Sequence, residues 1–383
     1  MSNSRQALSI SDKNSWQMFR GSSMRTGVSA SNISCRPSLL WVTEIGPAVS
    51  SPVFVDGTIY ISTITGRIFA LNSFQKRIKW HSNVTSPLVS SPLVHNGILV
   101  VATHDSWIKD TYPMGKNFVL GMSIKDGRRL WEYEISGDVF SSPCLIDDMI
   151  IVIGSIKNGI HAIDGYNGNL KWIFETYGEV WSSASYNGKE IFIGSDDGFV
   201  YCLDIDGKLL WKTKLNGKIR SSTPCLSNDD DDEDHGSSIF IGTYSGGMFC
   251  LNQSTGATKW SKHISKPVMS SPATIKDRAF FATSDNRIYC LKVKDGSKVW
   301  EFETKDRIWS SPCVSQYGST IFFGSLDSHI YGLDINSGTQ TWKFPTMNMV
   351  DCSPAIAAGM MFVASRDGLL YTFGSASKPS YIG

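Results

Sequence analysis

The chain has 383 residues, 41% apolar and 19% charged, an ordinary balance for a soluble fold of one large domain or two medium ones. Lys and Arg number 36 against 35 Asp and Glu, and the net charge of +1 offers no basic field for nucleic acid and no polybasic patch for a membrane surface. No stretch approaches the ~18 consecutive apolar residues of a membrane-spanning helix.

The opening residues, MSNSRQALSISDKNS, contain no apolar h-region, so we expect no secretory signal, a disordered stretch over 1–14 and a cytoplasmic protein. A lead-in, SWQMFRGSSMRTG, begins at Ser15. It is followed by one strand pattern, PSLLWVTEIG around Trp41, that has no partner nearby in the chain. From there the sequence becomes periodic. AVSSPVF at Ala48 returns as LVSSPLV at Leu88, VFSSPCL at Val139, VWSSASY at Val180, IRSSTPC at Ile219, VMSSPAT at Val268, RIWSSPC at Arg307 and VDCSPAI at Val350. A serine motif used eight times is scaffold, because a single reaction needs one nucleophile. Tryptophans alternate with it at Trp41, Trp80, Trp131, Trp172, Trp211, Trp260, Trp300 and Trp342. Six of them follow a glycine by four residues, namely Gly127, Gly168, Gly207, Gly256, Gly296 and Gly338. A period of about 40 residues made of short β-type segments is that of four-stranded propeller blades.

Two units are longer than the rest. The stretch HDSWIKDTYPMGKN, starting at His104, lengthens the second, and the acidic run Asp229–Asp234 lengthens the fifth. The unit between them spells out the blade. SSASYNG is an inner strand and turn, KEIFIGS a second strand, DDG a hairpin turn suited to positive φ, FVYCLDI a third strand, and DGKLLW turns into a fourth that the tryptophan caps. The last unit ends at LLYTFGS without a Trp-bearing fourth strand. We therefore expect an all-β, eight-bladed propeller of four-stranded antiparallel blades over residues 15–374. The Trp41 strand would complete the last blade and remove the free sheet edge, leaving a tail over 375–383 and almost no helix. None of the eight cysteines is vicinal or in a Cys-x-x-Cys pair. Cys202, Cys250 and Cys290 fall on third strands, and Cys144, Cys225 and Cys313 follow the inner-strand proline, so all six read as reduced, small buried hydrophobes.

This pattern resembles the repeat of the pyrroloquinoline-quinone-like (PQQ-like) β-propeller superfamily. The likeness rests on the SSP inner strands, on YCLD at Tyr201 and YGLD at Tyr331, on the Gly-x-x-x-Trp turns and on the lead-in at Ser15, and it spans roughly residues 16–374. Within the superfamily, the cysteine-bearing blades look most like the propeller domains attached to acyl-adenylating enzymes. No adenylating domain is visible, so that activity does not carry over. The quinoprotein dehydrogenases of the superfamily stack their cofactor between a tryptophan and a vicinal disulfide, above calcium. With no Cys-Cys pair we expect neither PQQ nor calcium, and no other cofactor. The superfamily's outer-membrane assembly lipoprotein calls for an export signal and a lipobox cysteine, and neither is read here.

Repeats bear on function where they differ from one another. The residue before each serine pair forms a ring at one face, called here the top: Val49, Val89, Phe140, Trp181, Arg220, Met269, Trp309 and Asp351. A mostly apolar mouth with a few polar groups suits a small ligand. Arg220 would meet a carboxylate or phosphate, Trp181 and Trp309 would stack on a flat or cationic group, and Asp351 or Asp105 would act as a base. The same side chains read equally as packing. The inserted loop carries Asp105, Trp107 and Tyr112 on the same face, as a partner-facing feature or a packing anchor. His104 has no second ligand at metal spacing, so no metal site is expected. The acidic run reads as a solvated loop on the opposite face, or as a docking spot for a basic partner. The residues favour a monomeric, non-enzymatic scaffold that binds a protein partner at its loop faces and channel mouth. The alternatives are an enzyme or small-molecule binder using that mouth and, last, a PQQ-dependent dehydrogenase.

Overall fold

The computed structural model describes residues 13–84, 86–104, 116–147, 149–157, 159–226, 237–317 and 319–375. Eight sheets make the propeller, each with four antiparallel strands and one with a fifth, parallel strand on its inner edge, and among the described residues no segment is helical. Blade 4 is typical: Ser185–Tyr186, Ile191–Gly194, Phe199–Leu203 and Leu209–Lys214 run from the channel outward. The second and third strands are buried on both faces, because each blade is packed between two others, so they read as continuous apolar runs. The outer strand alternates between half-buried and exposed positions, which is why its residues alternate in polarity. In the eighth sheet Ala355–Ala357, Met360–Ala364 and Leu369–Gly374 are joined by Ser38–Glu44, which pairs with Leu369–Gly374 as its outer strand.

The repeated motifs are the joints between blades. In each sheet the pairing of the third and fourth strands skips the residue just before the tryptophan, as between Ala162–Trp172 and Ile163–Leu170. Such a bulge sharpens the local twist and swings the indole toward the next blade. The Trp131 indole N–H then donates to the Gly165 carbonyl at 3.0 Å, and Trp80, Trp172, Trp211, Trp260 and Trp300 make the equivalent bond. The glycine four residues before the next tryptophan lies against that ring, and at Gly168 it does so with φ +76. The tryptophans thus clasp neighbouring blades rather than cap their own.

The serines form an inner ring, linked at seven of its eight joints. The second serine of a pair accepts from the backbone N–H of the preceding blade: Ser51 N–H to Ser91 Oγ at 2.9 Å, Ser91 to Ser142 at 3.0 Å, and Ser142 to Ser183 at 2.8 Å. Beyond these, Ser222 bonds Ser271, Ser271 bonds Ser311, Ser311 bonds Ser353, and Ser353 returns to Ser51 at 3.1 Å. The first serine stays within its blade, as when Ser182 Oγ donates to the Gly194 carbonyl. The scaffold reading of the motif has its physical basis in these bonds.

The lead-in has a role that its sequence does not announce. It travels round the channel below the serine ring and serves the inner strands almost in blade order. Trp16 exchanges backbone bonds with Phe54, and the carbonyls of Gln17, Ser23, Met24, Thr26 and Gly27 accept from Val94, Tyr186, Cys225, Thr274 and Val314. Val28–Ser29 pairs in parallel with Cys313–Ser315. Inner strands have one edge with no sheet neighbour, and this segment supplies partners for groups that would otherwise be buried without any. From it Arg20 and Arg25, both fully buried, reach up to main-chain carbonyls. Arg20 donates to Pro272 at 2.8 Å and to Pro312; Arg25 donates to Ala184 at 2.9 Å, Pro143 at 2.9 Å and Ser142 at 3.1 Å. Gly27 makes room, since a Cβ there would overlap the Arg20 guanidinium.

Candidate functional site at the mouth of the channel

All eight mouth positions are half-buried, each between a buried apolar residue and a buried serine or, at Asp351, a buried cysteine. They do not form an open ring. Across blades 2 to 5 the side chains stack continuously. His104 meets the Phe140 ring edge-on at 4.3 Å, and Phe140 lies flat on Trp181 at 3.6 Å. The Arg220 guanidinium lies over the other face of Trp181 at 4.1 Å and within 5.2 Å of the Tyr244 ring. Both faces of Trp181 are therefore covered by the protein itself, and its indole N–H donates to Glu179 at 2.7 Å.

Arg220 is engaged as well. Its fork holds Asp196 through Nε at 3.1 Å and Nη2 at 2.8 Å, and Lys218 shares the same carboxylate at 3.1 Å. The anion expected from a ligand is supplied by the turn of blade 4. Asp196, taken from sequence as hairpin chemistry, is the partner that this reading missed. Its neighbour Asp197 does behave as scaffold, accepting from the Tyr201 hydroxyl, and Asp285, Asp327 and Asp367 repeat that bond. One position separates the aspartate that holds Arg220 from the one that holds the tyrosine, which explains why the turn alone did not distinguish them.

Blades 6 to 8 differ. The Arg307 guanidinium lies over Trp309 at 5.1 Å, and the Trp309 indole nitrogen is buried with no hydrogen-bond partner. On the adjacent inner strand, Asp351 Oδ2 accepts from Arg366 Nε at 2.9 Å and Nη2 at 2.7 Å, while Oδ1 is buried and unpaired. Burial pushes the Asp351 carboxyl above its ordinary range, against the pull of Arg366. Met269 holds the mouth position of blade 6, and Val49 and Val89 hold those of blades 1 and 2. Asp105, Trp107, Tyr112 and the acidic run lie outside the described residues. Among the described residues no group of His, Cys, Asp or Glu is arranged to hold a metal ion.

The cysteines are all free, and seven of them are buried. Burial raises the thiol of Cys225, and likewise those of Cys290 and Cys313, to about 12, the condition of packing rather than reactive groups. No cysteine stands next to another in the chain, and both faces of Trp181 are covered by the protein's own side chains.

Comparison with known proteins agrees with the repeat. The family model described as "Beta-alanine-activating enzyme, beta-propeller" matches residues 117–380, and that of the outer membrane protein assembly factor BamB matches residues 9–176. The β-alanine-activating enzyme of Drosophila melanogaster is 24% identical over 59% of this chain, and the chain spans only 23% of that protein. BamB of Moranella endobia is 21% identical over 66% of this chain, and the chain spans 64% of it. A europium-containing methanol dehydrogenase superposes with a TM-score of 0.81 at 14% identity, over 97% of this chain and all of that one, which speaks for fold alone. By its repeats, its eight blades and the family model covering most of its length, the chain belongs to the β-propeller family of the β-alanine-activating enzyme, within the PQQ-like propeller superfamily.

Proposed function

We propose that the protein is a non-enzymatic scaffold whose top face binds a protein partner. The observation that carries this reading is the sandwich of Trp181 between Phe140 and Arg220, which fills three of the eight mouth positions with the protein's own stacked side chains. That leaves the loops around the mouth as the broader surface, and broad surfaces suit proteins. Around it the top loops expose Tyr177 at 88%, Met347 at 86% and Tyr244 at 44%. Such aromatic and methionine side chains are enriched at interfaces. The name of one relative, an assembly factor, is in keeping with this role.

The test is affinity capture with two variants. Tyr177→Ser with Met347→Ser alters the top face; Phe74→Ser with Tyr317→Ser alters exposed rings on the bottom. A partner lost from the first and kept by the second is the expected result. Equal recovery by both overturns the reading.

One observation favours a small-ligand site instead. Trp309 Nε1 and Asp351 Oδ1 are a buried donor and a buried acceptor on the segments entering adjacent inner strands, both without partners. In that reading Asp351 is the group that handles a proton, and a ligand mass in native spectra would disappear in Asp351→Asn.

A further inference from the structure

Arg20 and Arg25 pose a problem of charge. Both are fully buried, and the carbonyls that hold them lie at one level of the channel. Pro143, Ala184, Pro272 and Pro312 each follow the second serine of their blade, so the two cations lie one residue below the serine ring, across blades 3, 4, 6 and 7. Carbonyl dipoles satisfy N–H groups but leave the net charge in place, and a buried charge without a counter-charge is costly. Desolvation lowers both guanidiniums, Arg20 to about 9, and they stay charged at neutral pH. The ionisable neighbours that act on them are the thiols of Cys313 and Cys144 and the arginines themselves, with no carboxylate among them. The buried carboxylates of the top face have partners of their own: Asp351 has Arg366, Asp196 has Arg220 and Lys218, Asp327 has Tyr331, and Asp138 has Asn117.

Above the arginines stands a ring of unspent donors. Ser91, Ser142, Ser183, Ser271, Ser311 and Ser353 each accept a backbone N–H through Oγ. Among the described residues, none of the six passes its own O–H to another group, although a serine hydroxyl always carries that hydrogen. All six are at most 6% exposed. Ser22 and Ser23, on the lead-in between the two arginines, add hydroxyls that are buried with no partner. Water would accept from these hydroxyls and leave the charge unanswered; an anion answers both.

We propose that the channel holds a small inorganic anion, a halide or a phosphate, between the serine ring and the two arginines, where it accepts from the ring hydroxyls and balances the guanidiniums. Its size follows from the entrance. Serine bonds close the ring at seven joints, and the stack of Phe140, Trp181 and Arg220 covers three mouth positions, so the opening suits a compact ion rather than an organic ligand. Bound there, the anion ties the lead-in to blades on both sides of the channel, and the fold gains stability with its occupancy. The site lies below the mouth and is independent of the partner bound by the top face.

The test uses the full chain, dialysed into sodium gluconate, whose anion is too large for the ring. Chloride, bromide and phosphate are titrated in at constant ionic strength while the melting temperature is followed. At least one of them should raise it along a saturating curve, as a ligand of the native state does. The anion that saturates at the lowest concentration tells halide from oxyanion. Arg25→Gln keeps an amide for the carbonyls and removes one charge, and it should raise the half-saturation point by at least about tenfold. Lys262→Gln removes an exposed cation from the outer strand of blade 5 and should leave that point where it is. Should Arg25→Gln fail to fold, a crystal of the unaltered protein grown in the stabilising anion carries the test, with the ion expected in hydrogen-bond reach of the ring serines. Titrations that match gluconate, a rise that never saturates, or a half-saturation point unmoved in folded Arg25→Gln each overturns the proposal. Density for the anion on the outer surface alone marks an adventitious ion only and overturns it equally.

Discussion

His161 lies on the third strand of blade 3, almost completely buried, with Nδ1 2.9 Å from the Tyr133 hydroxyl and Nε2 unpartnered. Burial favours the neutral ring and lowers its pKa from 6.5 to about 4. The unfolded chain therefore binds a proton there between pH ~6.5 and ~4 that the folded chain refuses. Stability is full above that window, falls as the pH drops through it, and levels off below it. The native protein should lose up to about 3 kcal/mol more than His161→Gln between pH 7 and 4. Urea titrations at the two pH values measure this, and parallel losses would remove His161 from the account. Arg20 and Arg25 show the other outcome of burial, since they keep their charge and take carbonyls as partners. At this scale the sequence was legible in part. The eight mouth positions follow from the repeat, because a residue fixed before a serine pair has a fixed place in its blade. Their partners Asp196 and Arg366 do not follow, because they come from turns whose register against the mouth is set by packing between blades.

Six of the eight joints between blades are a clasp of bulge, tryptophan and glycine, and the cost of breaking one can be separated from the cost of backbone strain. Gly168 has φ +76, and a Cβ there would come within 2.7 Å of Trp131 Cε3. Gly97 has φ +79 with nothing within 4 Å of such an atom. Gly97→Ala should cost only the left-handed penalty, about 1 kcal/mol. Gly168→Ala should cost about 1–3 kcal/mol more, because the indole must leave its hydrogen bond or the blades must separate. Denaturant midpoints of the two variants decide the point, and equal losses would mean that the glycine serves its turn and not the clasp. The Gly-x-x-x-Trp spacing made the blades visible in the sequence but misled about the tryptophan. A period records what recurs inside a unit, whereas the indole acts on the unit that follows.

The molecule as a whole depends on a segment that has no period at all. SWQMFRGSSMRTG reads from sequence only as a lead-in to the repeats, and its work is visible only once strands from distant parts of the chain stand around it. It passes inside the ring, while Ser38–Glu44, a few residues later, lies on the outside as the last strand of blade 8. The two can be tested apart. A chain starting at Ser38 keeps the outer strand but loses the lead-in, with Trp16, Met18 and Met24 from three separate cores and both arginines from the channel. Inner-strand groups that now bond the lead-in would lose those partners, at about 1–3 kcal/mol for each group left buried and unpaired. The uncovered edges would also be free to pair with other chains. We expect the truncated chain to melt well below the full protein and to aggregate as it does so. Adding back the segment 13–37 as a peptide should recover part of the loss, since its contacts are to preformed strands. A truncated chain that stays monomeric with an unchanged melting temperature would show that the ring holds itself, through the serine bonds and tryptophan clasps alone, and that the lead-in merely fills it.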